Sequence, residues 1–245
     1  MSLMEKLNRI ADICESVLPK SIINSSGRLL YSPGYTVEGN SPIYFLGLNP
    51  GEAVGMQELH DTMTVGWDIN RLRRNEIVEH GYLDERWKGH SPGMAPIQRA
   101  GQSLFATIAN GDSQKGRSLL RETPVGNFIF SRSPTAQVLE SRSGMSSVQL
   151  AMACWRVHQQ IMKEAGTKVL LTHAVTLARP LARAMGLGEG EQMSSGWGGT
   201  LSTLYAWELG SGIRMLAIPN LSRYKPDGPR IPALKSFFER FGPQL

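Results

Sequence analysis

Apolar residues recur at helical spacing at the start of the chain. Leu7, Ile10, Ala11, Cys14 and Val17 fall on one stripe of the segment Met4 to Leu18, and Pro19 closes it. A Ser-, Gly- and Pro-rich stretch over 25–40 then gives way to a short apolar run, Ile43-Tyr44-Phe45-Leu46. That run lacks alternating polar positions and ends in turn residues, so it reads as a core strand buried on both faces. A polar segment over 52–94 follows, part helical around 69–79, and is expected to be an insertion or lid. Helical spacing resumes over Ile97 to Ile108, and Asn127-Phe128-Ile129-Phe130 is the second strand expected. A Ser- and Arg-rich loop over 131–147 leads to a long helix, Val148 to Glu164. Val169-Leu170-Leu171 reads as a third strand with Leu177 to Met185 as its helix. Leu201 to Glu208 and Ile213 to Ile218 are two further strands joined by Gly210-Ser211-Gly212, and a last helix covers about 233–241.

Strands alternating with helices predict an α/β domain: a mainly parallel central sheet flanked by helices on both faces. The chain of 245 residues is long enough for one such core, and no shift in composition divides it, so 1–245 is read as a single domain. In this class, functional loops lie at the carboxyl ends of the strands. Attention therefore falls on the segments after Leu48, Phe130, Leu171 and Ile218.

Composition narrows the function classes. No apolar run approaches the roughly 20 residues of a membrane helix, and the first ten residues lack the order of a secretory signal, so a cytoplasmic protein is expected. Cys14 and Cys154 lie in apolar helical patterns and read as small core side chains. Two thiolates alone cannot hold an iron-sulfur cluster. His60, His80, His90, His158 and His173 show no tight ligand spacing, so neither metal nor cofactor is expected. His173 ends the third strand, where a structural imidazole is the first expectation and a pocket role the second. The net charge of +5 is compatible with a polyanionic partner.

The first carboxyl-end loop is Gly47-Leu48-Asn49-Pro50-Gly51. Glycine lets backbone approach a ligand, and proline stiffens the turn. The amide of Asn49 can hold a water in a fixed direction without itself taking a proton at neutral pH. Alone, the same pattern also reads as ordinary turn chemistry.

Three segments together carry a family resemblance. Tyr44-Phe45-Leu46-Gly47-Leu48-Asn49-Pro50-Gly51 resembles the first motif of the uracil-DNA glycosylase superfamily, in particular its mismatch-specific uracil and thymine branch. Asn127-Phe128-Ile129-Phe130-Ser131-Arg132-Ser133-Pro134 is similar to the superfamily's second strand, and Ile218-Pro219-Asn220-Leu221-Ser222-Arg223-Tyr224 to its last motif. The resemblance implies a uracil-DNA glycosylase-like sheet and a DNA partner, bound as a monomer. Asn49 would position the attacking water, with Glu52 as a second candidate catalytic group. Gly47, Leu48 and Asn127 would contact the extruded base. Pro219, Asn220, Leu221, Ser222, Arg223 and Arg132 would hold DNA, with Leu221 as an exposed wedge that fills the gap left by the base.

The departures from the family pattern matter equally. Ile218 stands where many relatives carry a histidine that stabilises the departing base. No aromatic residue follows Gly51 to close the pocket, where Glu52, Ala53, Val54 and Gly55 occur instead. The resemblance thus implies removal of a modified pyrimidine, with a bulky base of phage DNA such as glucosylated hydroxymethylcytosine, in antiviral defence, preferred over uracil or mismatched thymine repair. A catalytically silent nucleic-acid-binding module is the reading of another class. A doubly wound nucleotide-binding enzyme finds no Gly-x-Gly-x-x-Gly or phosphate-loop lysine after the first strand. Arg71, Arg73, Arg74, Arg223 and Lys225 are candidate phosphate contacts, and Trp67, Trp87 and Trp197 are candidate stacking residues.

Overall fold

A computed structural model describes residues 1–39, 41–51, 63–87 and 89–243. Its centre is a six-stranded sheet in the order β2-β1-β3-β6-β5-β4. The strands are β1 (Ile43–Gly47), β2 (Val125–Asn127), β3 (Val169–Thr172), β4 (Glu191–Ser194), β5 (Thr203–Gly210) and β6 (Ile213–Ala217). The first four in sheet order are parallel, and β5 and β4 extend the sheet antiparallel. The helices are α1 (Leu3–Val17), α2 (Lys20–Ile23), α3 (Val65–Arg73), α4 (Pro96–Ile108), α5 (Ser113–Glu122), α6 (Ala136–Ser143), α7 (Ser147–Ala165), α8 (Val175–Ala184) and α9 (Arg230–Phe241).

The two-residue period of the strands divides the core. Tyr44, Leu46 and Leu170 join the apolar stripes of α1, α3, α7 and α8 on one face. Ile43, Phe45, Val169 and Leu171 join α4, α5 and α9 on the other. All five residues of β1 are buried, as its unbroken apolar run predicted. The α/β class and the helix-covered, mainly parallel sheet are therefore features of this chain.

Several elements differ from the sequence expectation for local reasons. The second strand lies two residues earlier, because the ladder with β1 ends at the pair Gly47–Asn127. Phe128, Ile129 and Phe130 are buried beyond it. Their backbone instead pairs with the loop after β1 and with residues 26–28, where Arg28 N donates to Phe130 O at 3.0 Å. The expected loop over 131–147 contains α6, capped by Thr135 and ended by Gly144 at φ 68°. Helix α5 and the edge strand β4 carry too little apolar pattern to be read in advance. The β5–β6 hairpin turns through Ser211 and Gly212, both at positive φ, as the sequence there predicted.

The segment read as an insertion or lid contributes directly to the core over its described part. Val65, Ile69, Leu72, Tyr82 and Leu83 are all buried. Residues 52–62 and 88 lie outside the described residues, and with them the candidate Glu52.

Candidate functional site

The sheet order places the site. From β1 the chain adds β2 on one side and then crosses to β3 on the other, so β1 sits at a topological switch point. In open α/β sheets such a point, outside the carboxyl ends of the strands, is where ligands bind. Gly47 ends β1, Asn127 lies opposite it at the end of β2, and His173 follows β3, its N–H donating to Leu46 O at 3.1 Å.

Gly47 is the keystone of this juxtaposition. A Cβ at that position would overlap Asn127 Oδ1 and would lie 3.3 Å from His173 Nε2. Only a residue without a side chain lets the amide and the imidazole face one another across the end of β1. Of the expected site residues, the fold thus brings Gly47, Leu48, Asn49 and Asn127 together. The Asn127 amide makes no side-chain hydrogen bond among the described residues and is half-buried.

The loop 48–51 is held against the segment after β2. Phe128 N donates to Gly47 O and Ile129 N to Leu48 O, both at 3.0 Å, and Ser133 N donates to Pro50 O at 3.0 Å. Asn49 Nδ2 donates to Pro50 O at 2.9 Å and to the carbonyl and hydroxyl oxygens of Ser133 at 3.2 Å. The amide plane is thereby fixed by its nitrogen. Its oxygen is the end with acceptor chemistry suited to orienting a water. Arg132 Nη1 donates to Gly51 O at 2.9 Å, so this arginine locks the same loop.

The chain matches no protein-family model and no curated protein.

Beside His173 lies the segment 80–87, in which the sequence singled out only His80 and Trp87. Tyr82 Oη lies 3.1 Å from His173 Nε2, and the Phe45 ring packs against each of them at 5.4 Å between centroids. Trp87 stacks edge-on to Tyr82 at 5.3 Å and donates its indole N–H to Glu85 at 2.9 Å. Glu85 pairs with Arg28 at 2.5 Å, and Arg28 lies over the Tyr31 ring at 4.4 Å. No spacing rule brings residues 28, 31, 82, 85, 87 and 173 together. Only the fold does.

Burial lowers the His173 pKa to about 4, so the ring is neutral at physiological pH. Burial likewise pushes the Tyr82 hydroxyl above its ordinary range, which keeps it protonated. His173 Nδ1 is buried with no hydrogen-bond partner among the described residues, an arrangement that costs about 1–3 kcal/mol. By contrast, both nitrogens of His158 are satisfied, by Tyr44 Oη at 2.9 Å and Phe128 O at 3.1 Å, and His80 Nε2 is bonded to Leu120 O at 2.8 Å.

The last motif corrects one expectation. Leu221 is only 2% exposed and packs in the core with Tyr224 and Ile218. Pro219 is buried too. Asn220 explains why: its side-chain oxygen accepts from Ser222 N at 2.9 Å, and its carbonyl accepts from the N–H groups of Arg223 and Tyr224. The resulting tight turn drives Leu221 inward and leaves Ser222, Arg223 and Lys225 as the exposed groups. Leu221 is therefore a loop anchor in this structure.

The arginines of α3 and its carboxyl-terminal cap are engaged within the chain. Arg73 pairs with Asp12 and Glu15, Arg71 with Asp68, and Arg74 with Glu76. No ion pair involves Arg223 or Lys225 among the described residues. Trp67 is 40% exposed beneath Arg71, and Trp197 packs between Arg230 and Tyr224. Cys14 and Cys154 are both buried, and burial raises both thiols. Among the described residues, no group of three metal-ligating side chains gathers, and no helix is long and apolar enough to cross a membrane.

Proposed function

We propose that the protein is a DNA glycosylase of uracil-DNA glycosylase-like fold that hydrolyses the N-glycosidic bond of an extruded, modified pyrimidine. The observation that carries this reading is the convergence at the switch point, where Gly47 lets the Asn127 amide lie against the end of β1 and the clamped loop presents Asn49. Asn127 has a donor and an acceptor free to pair with a pyrimidine edge. Asn49, fixed through its nitrogen, directs a water at the anomeric carbon. The water oxygen bonds to that carbon and the carbon–nitrogen bond breaks. The bonding pair leaves with the base, and the water's spare proton passes to solvent. Arg223 and Lys225 are the exposed cations next to the last motif and suit flanking phosphates.

The absence of an aromatic residue after Gly51 favours a base larger than uracil, including a glucosylated hydroxymethylcytosine, with uracil or mismatched thymine as the alternative. Purified protein incubated with duplexes containing each base, followed by alkaline cleavage at abasic sites, tests both. Strand breaks confined to uracil and mismatched thymine defeat the bulky-base version, and breaks in none defeat glycosylase chemistry.

A second reading follows from the donors of Asn49, which already serve the loop itself. On that reading, Asn49 is purely structural and the protein is a catalytically silent DNA-binding module. Duplex binding without abasic-site formation by the wild-type protein would select it.

A further inference from the structure

We infer that the loop between β4 and β5, residues 195–202, is a DNA-backbone contact, in which the exposed main-chain amides of Gly198 and Gly199 receive a phosphate beside Arg223. The inference takes its partner, a DNA duplex, from the glycosylase reading above and adds a surface which that reading does not use.

Topology is the first argument. β1, β2, β3 and β6 are mutually parallel, β5 is antiparallel to β6, and β4 is antiparallel to β5. β4 therefore ends where β1, β2, β3 and β6 end, and the loop 195–202 leaves the sheet on the side of Gly47, Asn127 and His173. It also meets the last motif directly. Tyr224 Oη donates to Ser195 O at 2.8 Å, and the Trp197 and Tyr224 rings lie 6.1 Å apart. The loop thus borders Arg223 and Lys225, the exposed cations on either side of Tyr224.

Rigidity is the second. A run containing Gly196, Gly198 and Gly199 has little intrinsic order, yet this one is held at several points. Arg230 lies over the Trp197 ring at 3.4 Å, and Ser195 Oγ donates to Leu201 O while accepting from Trp197 N at 3.1 Å. Gly196 has φ 71°, and a Cβ there would lie 3.0 Å from Pro229 O and 3.2 Å from Arg230 Cα. Glycine at 196 is what lets the loop sit flush on the start of α9.

Hydrogen-bond accounting is the third. Gly196 N and Trp197 N donate to the hydroxyls of Ser194 and Ser195. Gly198 N and Gly199 N donate to no described residue, and both glycines are exposed. A Cβ at either would meet no described residue within 4 Å. A fixed loop therefore presents two successive N–H donors with no side chain to shield them. Main-chain N–H groups are regular phosphate ligands in protein–DNA complexes. The segment 195–202 carries no acidic residue, and Asp227, across from it, is paired with Arg230. Leu221 is buried, so Ser222, Arg223 and Lys225 alone would leave the last motif a narrow contact. The β4–β5 loop widens it.

Gly198 is the place to test this, because its φ of −96° suits any residue and the space around it is open. Affinity for a labelled DNA duplex should be measured by fluorescence anisotropy over a range of salt concentrations for wild type, Gly198→Lys and Gly198→Glu. Ser211→Lys and Ser211→Glu, in the β5–β6 turn at the opposite end of the sheet, are the controls. Gly198→Glu should weaken binding on the order of tenfold at low salt. Gly198→Lys should tighten it and steepen the slope of log K against log salt by about 0.9. A gain of affinity cannot come from misfolding, and the Ser211 pair should leave both quantities unchanged. Replacing phosphates one at a time by neutral methylphosphonates should relieve the Gly198→Glu loss at one position of the duplex and not at the others. Wild-type binding that neither Gly198 variant alters, or that the Ser211 pair alters equally, overturns the inference and leaves the glycosylase reading standing. A wild-type protein that binds no duplex removes both.

Discussion

Gly47→Ala tests the geometry on which the site depends. The added methyl would overlap Asn127 Oδ1 and sit 3.3 Å from His173 Nε2, between two strand ends fixed by the sheet. Forcing a methyl into a packed space costs typically about 1–3 kcal/mol. Against this, Gly47 has no positive φ, so alanine gains about 0.4–1 kcal/mol by restricting the unfolded chain. The net is a destabilisation of about 1–2 kcal/mol, and for a domain of this size that lowers Tm by roughly 2–8 °C. Activity should fall further than stability. Relief of the overlap requires Asn127 to rotate or retreat, and a misplacement of about 1 Å costs on the order of 10²-fold in rate. Gly51→Ala is the internal control, because a Cβ there meets no described residue within 4 Å. It should stay within about 0.5 kcal/mol of the parent. Thermal denaturation of both variants, with abasic-site formation measured on the duplex that the wild type cleaves, decides the matter. Equal stability and equal rate for the two variants would refute the close approach of Asn127 and His173 at Gly47.

Asn49→Ala should lower single-turnover excision by on the order of 10²-fold or more through loss of water positioning, while loss of the Ser133 tether costs stability of about 1 kcal/mol. Parent-like excision by a stably folded Asn49→Ala protein would defeat the assigned role. Leu221→Ala should destabilise by about 2–5 kcal/mol, as a buried leucine does. An exposed wedge would leave the urea midpoint unmoved. Burial holds His80, His158 and His173 at pKa values of about 4, below their ordinary 6.5. The unfolded chain thus binds more protons between those values, so these histidines contribute fully above about pH 6.5, and the contribution drains away as pH falls toward 4. At about 1.4 kcal/mol per proton per pH unit, the three together give a slope approaching 4 kcal/mol per unit. Urea midpoints measured from pH 7 to 4 should show it, and His158→Gln should remove about one third. A flat profile would mean that these imidazoles are not buried neutral.

The sequence by itself determined the class of the fold and the identity of its first loop. The short unbroken run Ile43 to Leu46, ended by turn residues, reads as a strand covered on both faces, and the helical stripe from Leu7 to Val17 reads as a packing helix. Both periods are local, so both are legible in the chain. The turn residues around Asn49 are local as well. Where a strand ends is not: β2 stops at Asn127 because its partner β1 stops at Gly47, whereas the apolar residues continue to Phe130. The exposure of Leu221 was equally out of reach, since a polar neighbourhood in sequence says nothing of the Asn220 turn that sends the side chain inward. His173 and Tyr82 are separated by most of the fold's middle and meet only because β3 is laid beside β1 and the segment 80–87 folds over its end. Tertiary structure alone decided that Asn127 and His173 face each other across a glycine. That arrangement depends on sheet order, which is set by packing among distant elements.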